Sequence, residues 1–292
     1  MVPKGKLLII GGAEDKSGSE LAMRKRNSQS ERFEILKELL PSSDFNARIE
    51  VITTASQCPH VMQQTYHDTF IEIGYKNVGY MDIMTKMQAR EETLCERIDN
   101  AKAVFFTGGD QLRLSTIIGG TRLADTLRKK YIEDENFTIA GTSAGAMVMS
   151  RIMICGGGAD EALLGSDLHT ASGFGLLRDC IVDTHFIKRG RFSRLAHAVI
   201  INPGNLGIGL GEDTALIITN GNDATCRGTG MVVVIDGSEI EQTNISEADS
   251  GCPVYVENLK VHLLIEYCKF NLKTREMSVP VPKVSPSNKN YE

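Results

Sequence analysis

Five short apolar runs alternate with helix-like stretches over the first half of this chain, and that alternation restricts its fold more than any other feature. The runs are KLLIIGG (6–12), IEVITTAS (49–56), VGYMDIM (78–84), AKAVFFTGGD (101–110) and FTIAGTSAG (137–145). Between them lie ERFEILKELL (31–40), HVMQQTYHDTFIEIG (60–74), EETLCERID (91–99) and QLRLSTIIGGTRLADTLRKKY (111–131), each with helical spacing. Strands that are apolar at nearly every position, rather than at every second one, are covered on both faces. Strand–helix alternation then predicts an α/β fold with a doubly wound, mostly parallel sheet. Further on the helices thin out. CIVDTHF (180–186), GIGLGEDTALIIT (207–219), GMVVVID (230–236) and LKVHLLIEYCKFNL (259–272) read as strands that extend the same sheet in antiparallel fashion. The expected organisation is one α/β domain over residues 1–292, with a core at about 5–220 and a β extension at about 221–280. Residues 15–31 read as a polar surface loop or a loosely held helix, and 283–292 as a disordered tail.

Composition removes several functional classes. A net charge of −5 with no long basic stretch argues against a nucleic-acid partner. Seven cysteines without regular spacing do not form a disulfide framework and fit a reducing cytoplasm. No apolar run reaches membrane length. With no H-E-x-x-H and no C-x-x-C, no metal or cofactor is expected.

The 28 glycines gather in knots, at 11–12, 108–109, 119–120 and 156–158, which points to tight turns and close backbone approach. One knot carries a hydroxyl. Gly141-Thr142-Ser143-Ala144-Gly145 matches G-x-S-x-G, with an apolar strand before it and helix-capable AMVMSRIMI after it. A nucleophile at a sharp strand-to-helix turn projects its oxygen clear of the sheet, and small neighbours relieve the crowding. The plainer reading is a glycine-rich turn in which Ser143 caps a helix. Phe106-Thr107-Gly108-Gly109-Asp110-Gln111 ends the preceding strand. Gly109 and Ala144 N–H groups are the expected oxyanion donors, and Asp110 is also a natural helix cap.

A serine nucleophile needs a base, most often histidine. His60 and His67 fall in a helical stretch, His169 in a glycine-rich loop, His197 in another helical stretch and His262 in the late strand region. His185 follows a strand, where chemistry collects in this architecture. Its orienting carboxylate is Glu212 or Asp213; sequence physics leaves both open. Lys188, Arg189, Arg191 and Arg194 follow His185 closely. A positive neighbourhood favours the neutral, proton-accepting imidazole, and arginine forks suit a carboxylate-bearing substrate.

At these residues the chain resembles the cyanophycinase family of serine exopeptidases, which share a clan with aspartyl dipeptidase (peptidase E). The resemblance lies in GTSAGAMVMS, DTHF-x-x-R-x-R-x-x-RL, FFTGGDQLRL and Gly-x-Gly-x-Glu-x-Thr-Ala, spread over about residues 6–216. It implies a class I glutamine amidotransferase-like fold, a Ser143–His185–Glu212 triad and homodimers. It implies hydrolysis of cyanophycin, a poly-aspartate carrying arginine on each side-chain carboxyl, to β-Asp-Arg dipeptides. Asp183, Thr184, Arg189, Arg191, Arg194 and Gln111 would then contact substrate. Thr184 departs from the glutamine that many members carry beside the histidine. Arg191 and Arg194 would hold aspartyl carboxylates, and Asp183, with Asp160 or Glu161, a substrate guanidinium. The alternatives are an Asp-X dipeptidase or other acidic isopeptidase, and a binding protein on the same scaffold.

Overall fold

The computed structural model describes residues 1–16, 33–41, 44–157 and 163–279. The expected loop at 15–31, apart from its first two residues, lies outside them, as do Asp160, Glu161 and the tail 283–292.

Among the described residues, nine strands form the central sheet. Five are parallel neighbours in the order β3 (Val78–Met81), β2 (Ile49–Ile52), β4 (Ala103–Phe106), β5 (Thr138–Thr142) and β1 (Lys6–Ile10). Beyond β1 the sheet continues antiparallel through β10 (Thr214–Thr219), β11 (Asp223–Gly228), β16 (Lys269–Asn271) and β17 (Glu276–Ser278).

The apolar runs explain the two-sided cover. Leu7, Ile9, Val104 and Phe106 point into one buried cluster and Leu8, Ile10, Ala103 and Phe105 into another. The helix α1 (Pro59–Ile73) closes the second face with Tyr66 and Phe70. The helices α2 (Glu92–Asn100), α3 (Gln111–Ile118) and α4 (Arg122–Glu133) close the first with Ile98, Leu114, Leu123 and Leu127. The helical stretch 111–131 is two helices, because Gly119 and Gly120 interrupt it and the Thr121 hydroxyl caps the next helix by accepting from Ala124 N–H. The stretch 31–40 is described from residue 33, and there it narrows to a 3₁₀ turn at Leu36–Leu39.

The late strands depart from expectation in a way that matters for the site. Only part of them extends the central sheet. The rest make a separate four-stranded sheet in the order β15 (Lys260–Leu264), β12 (Val232–Asp236), β9 (Leu206–Leu210) and β8 (Cys180–Asp183), with β8 and β9 parallel. The run 207–219 is therefore two strands, β9 and β10, which leave Gly211-Glu212-Asp213 as the step from one sheet to the other. The run 259–272 divides likewise into β15 and β16. The helix α6 (Phe192–Ile201) packs on the second sheet; a Cβ on Gly207 would lie 2.8 Å from the Val199 side chain. Ile208, Val233 and Ile181 join the same buried cluster as Leu7 and Phe106, so one core runs beneath both sheets.

After Ser143 the helical segment is a single turn, α5 (Ala144–Met147). The expected helix gives way to a hairpin of β6 (Ile152–Gly156) and β7 (His169–Ser172). Ile152 and the methionines around it are β-compatible, and pairing with β7 overrides their helical capacity.

Candidate active site

The end of β1 is where the site is assembled. Three consecutive carbonyls there each accept one N–H from a distant segment. Ile10 O takes Ser143 N–H at 3.0 Å, Gly11 O takes His185 N–H at 2.8 Å, and Gly12 O takes Asp213 N–H at 3.0 Å. The three donors stand on the turns after β5, after β8 and between β9 and β10. Each has positive φ: 52° at Ser143, 50° at His185 and 48° at Asp213. Such backbone is costly for residues with a side chain and persists where its surroundings hold it.

The side chains then meet. Ser143 Oγ lies 3.0 Å from His185 Nε2, and His185 Nδ1 lies 2.8 Å from Glu212 Oε1. An ionised carboxylate only accepts, so Nδ1 carries the proton and Nε2 is left to accept from the serine hydroxyl. Lys188 Nζ donates to the other carboxylate oxygen, Oε2, at 3.0 Å. Burial acts to raise the Glu212 pKa, but the hydrogen bonds and charges of His185 and Lys188 outweigh it and hold the group below the usual carboxylate range. Asp213, the other candidate orienter, points away. Its carboxylate accepts from Asp15 N–H at 3.2 Å and from the Thr229 hydroxyl at 2.6 Å.

Glycine is required by contact as much as by conformation. A Cβ on Gly141 would lie 2.2 Å from Gly145 O, and one on Gly145 would lie 2.3 Å from Phe106 O. Both glycines of the motif thus let the elbow fold against the strands. The Ser143 side chain makes no capping bond to α5, so the helix-cap reading fails. Gly12, in the sequence only one half of a glycine pair, borders the His185 ring. Its φ is +98°, and a Cβ there would lie 2.5 Å from His185 Nε2. The signal was present, since its apolar run ends in a glycine pair as the Gly108–Gly109 run does. Gly109, with φ +144°, packs on Ala55, whose carbonyl would lie 2.1 Å from an added Cβ. Ala144 is the first residue of α5, where N–H groups lack helical partners. Asp110 does cap α3, its Oδ1 accepting from Leu112 and Arg113 N–H at 2.8 and 3.1 Å.

The substrate residues sort differently from expectation. The Asp183 carboxylate is 0% exposed and engaged by its own chain. Arg194 grips it with Nε to Oδ2 at 2.8 Å and Nη2 to Oδ1 at 2.5 Å, while Arg191 Nη1 reaches Oδ1 at 2.9 Å and Thr184 O at 2.7 Å. A buried carboxylate with this fork has no face to offer a substrate guanidinium, which corrects the role expected for Asp183. Arg191 keeps Nε and Nη2, and Arg194 keeps Nη1, outside these contacts. Burial, with Arg194 and Arg189 nearby, lowers the Arg191 pKa against the opposing pull of Asp183. Arg189 is exposed. Thr184 is buried, and among the described residues its hydroxyl has no hydrogen-bond partner. Gln111 donates from Nε2 to Ile154 O at 3.2 Å, tying α3 to β6. Among the other histidines, His197 is buried within α6, and burial lowers its pKa. His262 packs its ring on Phe270.

A serine hydroxyl relayed through an imidazole to a carboxylate, at strand ends of an α/β sheet, is the arrangement of a serine-type hydrolase. The chain belongs to peptidase family S51, whose description matches residues 16–225. It is 34% identical to cyanophycinase of Synechococcus elongatus over 94% of this chain and 81% of that protein. Against cyanophycinase of Trichormus variabilis the identity is 34%, over 97% of this chain and 90% of the other. Against that of Geminocystis herdmanii it is 32%, over 94% and 96%. In fold it is similar to a peptidase from an acI-B1 actinobacterium, with a TM-score of 0.63 at 19% identity over 91% of this chain and 96% of that one. Among the described residues, no helix is long and apolar enough to cross a membrane. No group of three or more His, Cys, Asp or Glu there is placed to hold a metal ion.

Proposed function

We propose that this serine-type peptidase cleaves cyanophycin to β-Asp-Arg dipeptides through an acyl-enzyme. The observation that carries the reading is the unbroken relay from Ser143 Oγ through His185 to Glu212, at 3.0 and 2.8 Å. His185 takes the serine proton as Oγ attacks the backbone carbonyl of an aspartyl unit, then gives it to the leaving amine. Water repeats the cycle on the ester and frees the acid. Glu212 holds the imidazole in the accepting tautomer and balances its charge. Gly109 and Ala144 N–H groups face the developing oxyanion, each donor worth about 3 kcal/mol. The spare N–H groups of Arg191 and Arg194, with exposed Arg189, supply positive charge for a substrate carboxylate. The named relatives support this substrate, since each is a cyanophycinase covered over most of its length.

The finer fold kinship, class I glutamine amidotransferase-like, belongs to the same proposal, together with a single domain, homodimers and a cytoplasmic setting. All seven cysteines are free thiols, which suits that setting.

The test is to incubate the protein with cyanophycin and weigh the products. β-Asp-Arg dipeptides should appear with wild type and disappear with Ser143→Ala. Release at the wild-type rate by Ser143→Ala would refute the mechanism. Cleavage of Asp-X dipeptides with cyanophycin left intact would move the substrate to the neighbouring dipeptidase class.

A further inference from the structure

One fully buried carboxylate lies behind the elbow and has no part in the relay. Glu14 follows the Gly11–Gly12 turn, and its side chain is 0% exposed. Its two oxygens divide their partners. Oε2 accepts from the Thr142 hydroxyl at 2.6 Å, while Oε1 accepts from the Tyr66 hydroxyl at 2.6 Å and sits 3.3 Å from Lys16 Nζ. Thr142 immediately precedes Ser143 and ends β5. Tyr66 is a buried residue of α1. The Lys16 ammonium also lies 5.3 Å from the Tyr66 ring centre.

We infer that Glu14 is a positioning residue for the nucleophile: its carboxylate locks Thr142, and through it the strained Ser143 backbone, against the turn that holds His185. The inference rests on the proposed role of Ser143. Its logic follows from the connections. Gly11 and Gly12 hold His185 and Asp213 by their carbonyls, and Glu14 is two residues further along the same turn. The Glu14–Thr142 bond therefore closes a loop between the carrier of the base and the carrier of the nucleophile. Next to it, Asp15 N–H donates to Asp213 Oδ1, which fastens the same segment to the neighbour of Glu212. Without the Glu14 link, the elbow keeps the β1–β5 backbone ladder and Ser143 N–H to Ile10 O, but loses the side-chain tie between Thr142 and the turn that holds His185. A buried carboxylate would be an expensive choice for packing alone, since an unpaired charge there is strongly penalised. Its hydrogen bonds and the ammonium of Lys16 work against burial and hold its pKa down.

The test separates geometry from stability by changing one hydroxyl. Thr142→Val keeps the volume and removes the donor; Thr142→Ser keeps the donor; Glu14→Gln keeps the shape and removes the charge. Each full-length variant is measured well below its melting temperature, with the folded fraction checked by circular dichroism. The rate at which a fluorophosphonate labels Ser143 is compared with kcat and KM on cyanophycin. Thr142→Val should label on the order of ten- to a hundredfold more slowly, the scale of a reacting atom displaced by about 1 Å. KM should stay near its wild-type value, and Thr142→Ser should restore most of the rate. Glu14→Gln should fall between the two. If the fully folded Thr142→Val and Glu14→Gln variants label as fast as wild type, Glu14 only stabilises the fold and the inference is overturned. If wild type itself does not label at Ser143, it is the nucleophile assignment that fails instead.

Discussion

The two sheets contribute to the candidate site in different ways. The central sheet supplies Ser143 from the inside of its parallel half: β5 is hydrogen-bonded to parallel neighbours on both sides, β1 and β4. The second sheet supplies His185 from the end of β8, at the sheet's edge, and Glu212 from the step at which the chain crosses to the central sheet. Ser143 and His185 therefore stand at the ends of strands of separate sheets, and the end of β1 joins them. A relay built across a seam depends on whatever fixes the distance between its two sides, and here that is backbone: three carbonyls in a row, with glycine where the imidazole comes closest.

Breaking the relay from the second-sheet side should have the largest effect. His185→Ala should lower kcat by roughly 10⁴- to 10⁶-fold, comparable with Ser143→Ala, because the members of such a unit act together. The double variant should be no worse than either single one, measured as dipeptide release. Additive losses would show that the two sheets act independently and that the relay is not the catalytic unit.

Next comes the seam itself. Gly12→Ala puts a Cβ 2.5 Å from His185 Nε2 and should reduce kcat by about a hundredfold or more as the ring is displaced. Gly120→Ala makes a control in the same chain. Its φ is +65°, yet nothing lies within 4 Å of the added Cβ. It should cost about 1 kcal/mol of stability from backbone strain and leave kcat unchanged. Equal kinetic losses in the two variants would mean that conformation rather than contact explains Gly12.

The buried ion cluster at the end of β8 tests how rigid the second side is. Arg194→Ala removes the two-pronged partner of the buried Asp183 carboxylate and leaves it Arg191; breaking a buried pair outright costs about 3–5 kcal/mol, so the loss should stay below that, read as a lower Tm or denaturant midpoint. Arg194→Lys should recover little of that loss, since an ammonium cannot reproduce the two-pronged grip on Oδ1 and Oδ2. Full recovery by lysine would show that charge alone holds β8 to the loop carrying His185.

These contrasts also mark what was legible in the sequence. Ser143 was visible because an elbow is local: an apolar strand, a hydroxyl and two glycines within five residues. His185 was visible because it follows a strand end. Glu212 and Asp213 stayed indistinguishable, since adjacent carboxylates differ only in where the backbone turns them. That turn is set by φ 48° at Asp213 and by bonds to Gly12, Asp15 and Thr229, which are remote in sequence. The division of the late strands was hidden for a similar reason. β9 and β10 are equally apolar, and their different partners, β12 for one and β1 for the other, are non-local facts. The break at Gly119–Gly120 was readable, with Thr121 as a natural cap, but the helical pattern on either side obscured it. The pairing of Asp183 is hidden because burial leaves no mark on a charged triplet spread over 183–194; the same arginines that suit a substrate carboxylate also suit one from the chain.

The smallest expected effect concerns Lys188, a partner of Glu212 that lies largely in solvent, 71% exposed. Exposed ion pairs contribute about 0–1 kcal/mol, so Lys188→Ala should change kcat/KM by no more than about fivefold. Its pH dependence is more informative than its size. The Glu212 pKa is depressed in the folded protein, so this group adds stability above the ordinary carboxylate value of about 4.3 and loses it as pH falls through the depressed one. Removing Lys188 brings the folded value back toward the ordinary one and shrinks that contribution. Wild type should therefore melt slightly above Lys188→Ala at pH 7, and the gap should close in acid as Glu212 is protonated in both. Raising the ionic strength should narrow the gap at pH 7 by screening the pair. A gap that survives unchanged at low pH and high salt would mean that Lys188 stabilises its loop through its aliphatic stem, leaving His185 alone to hold Glu212 in place.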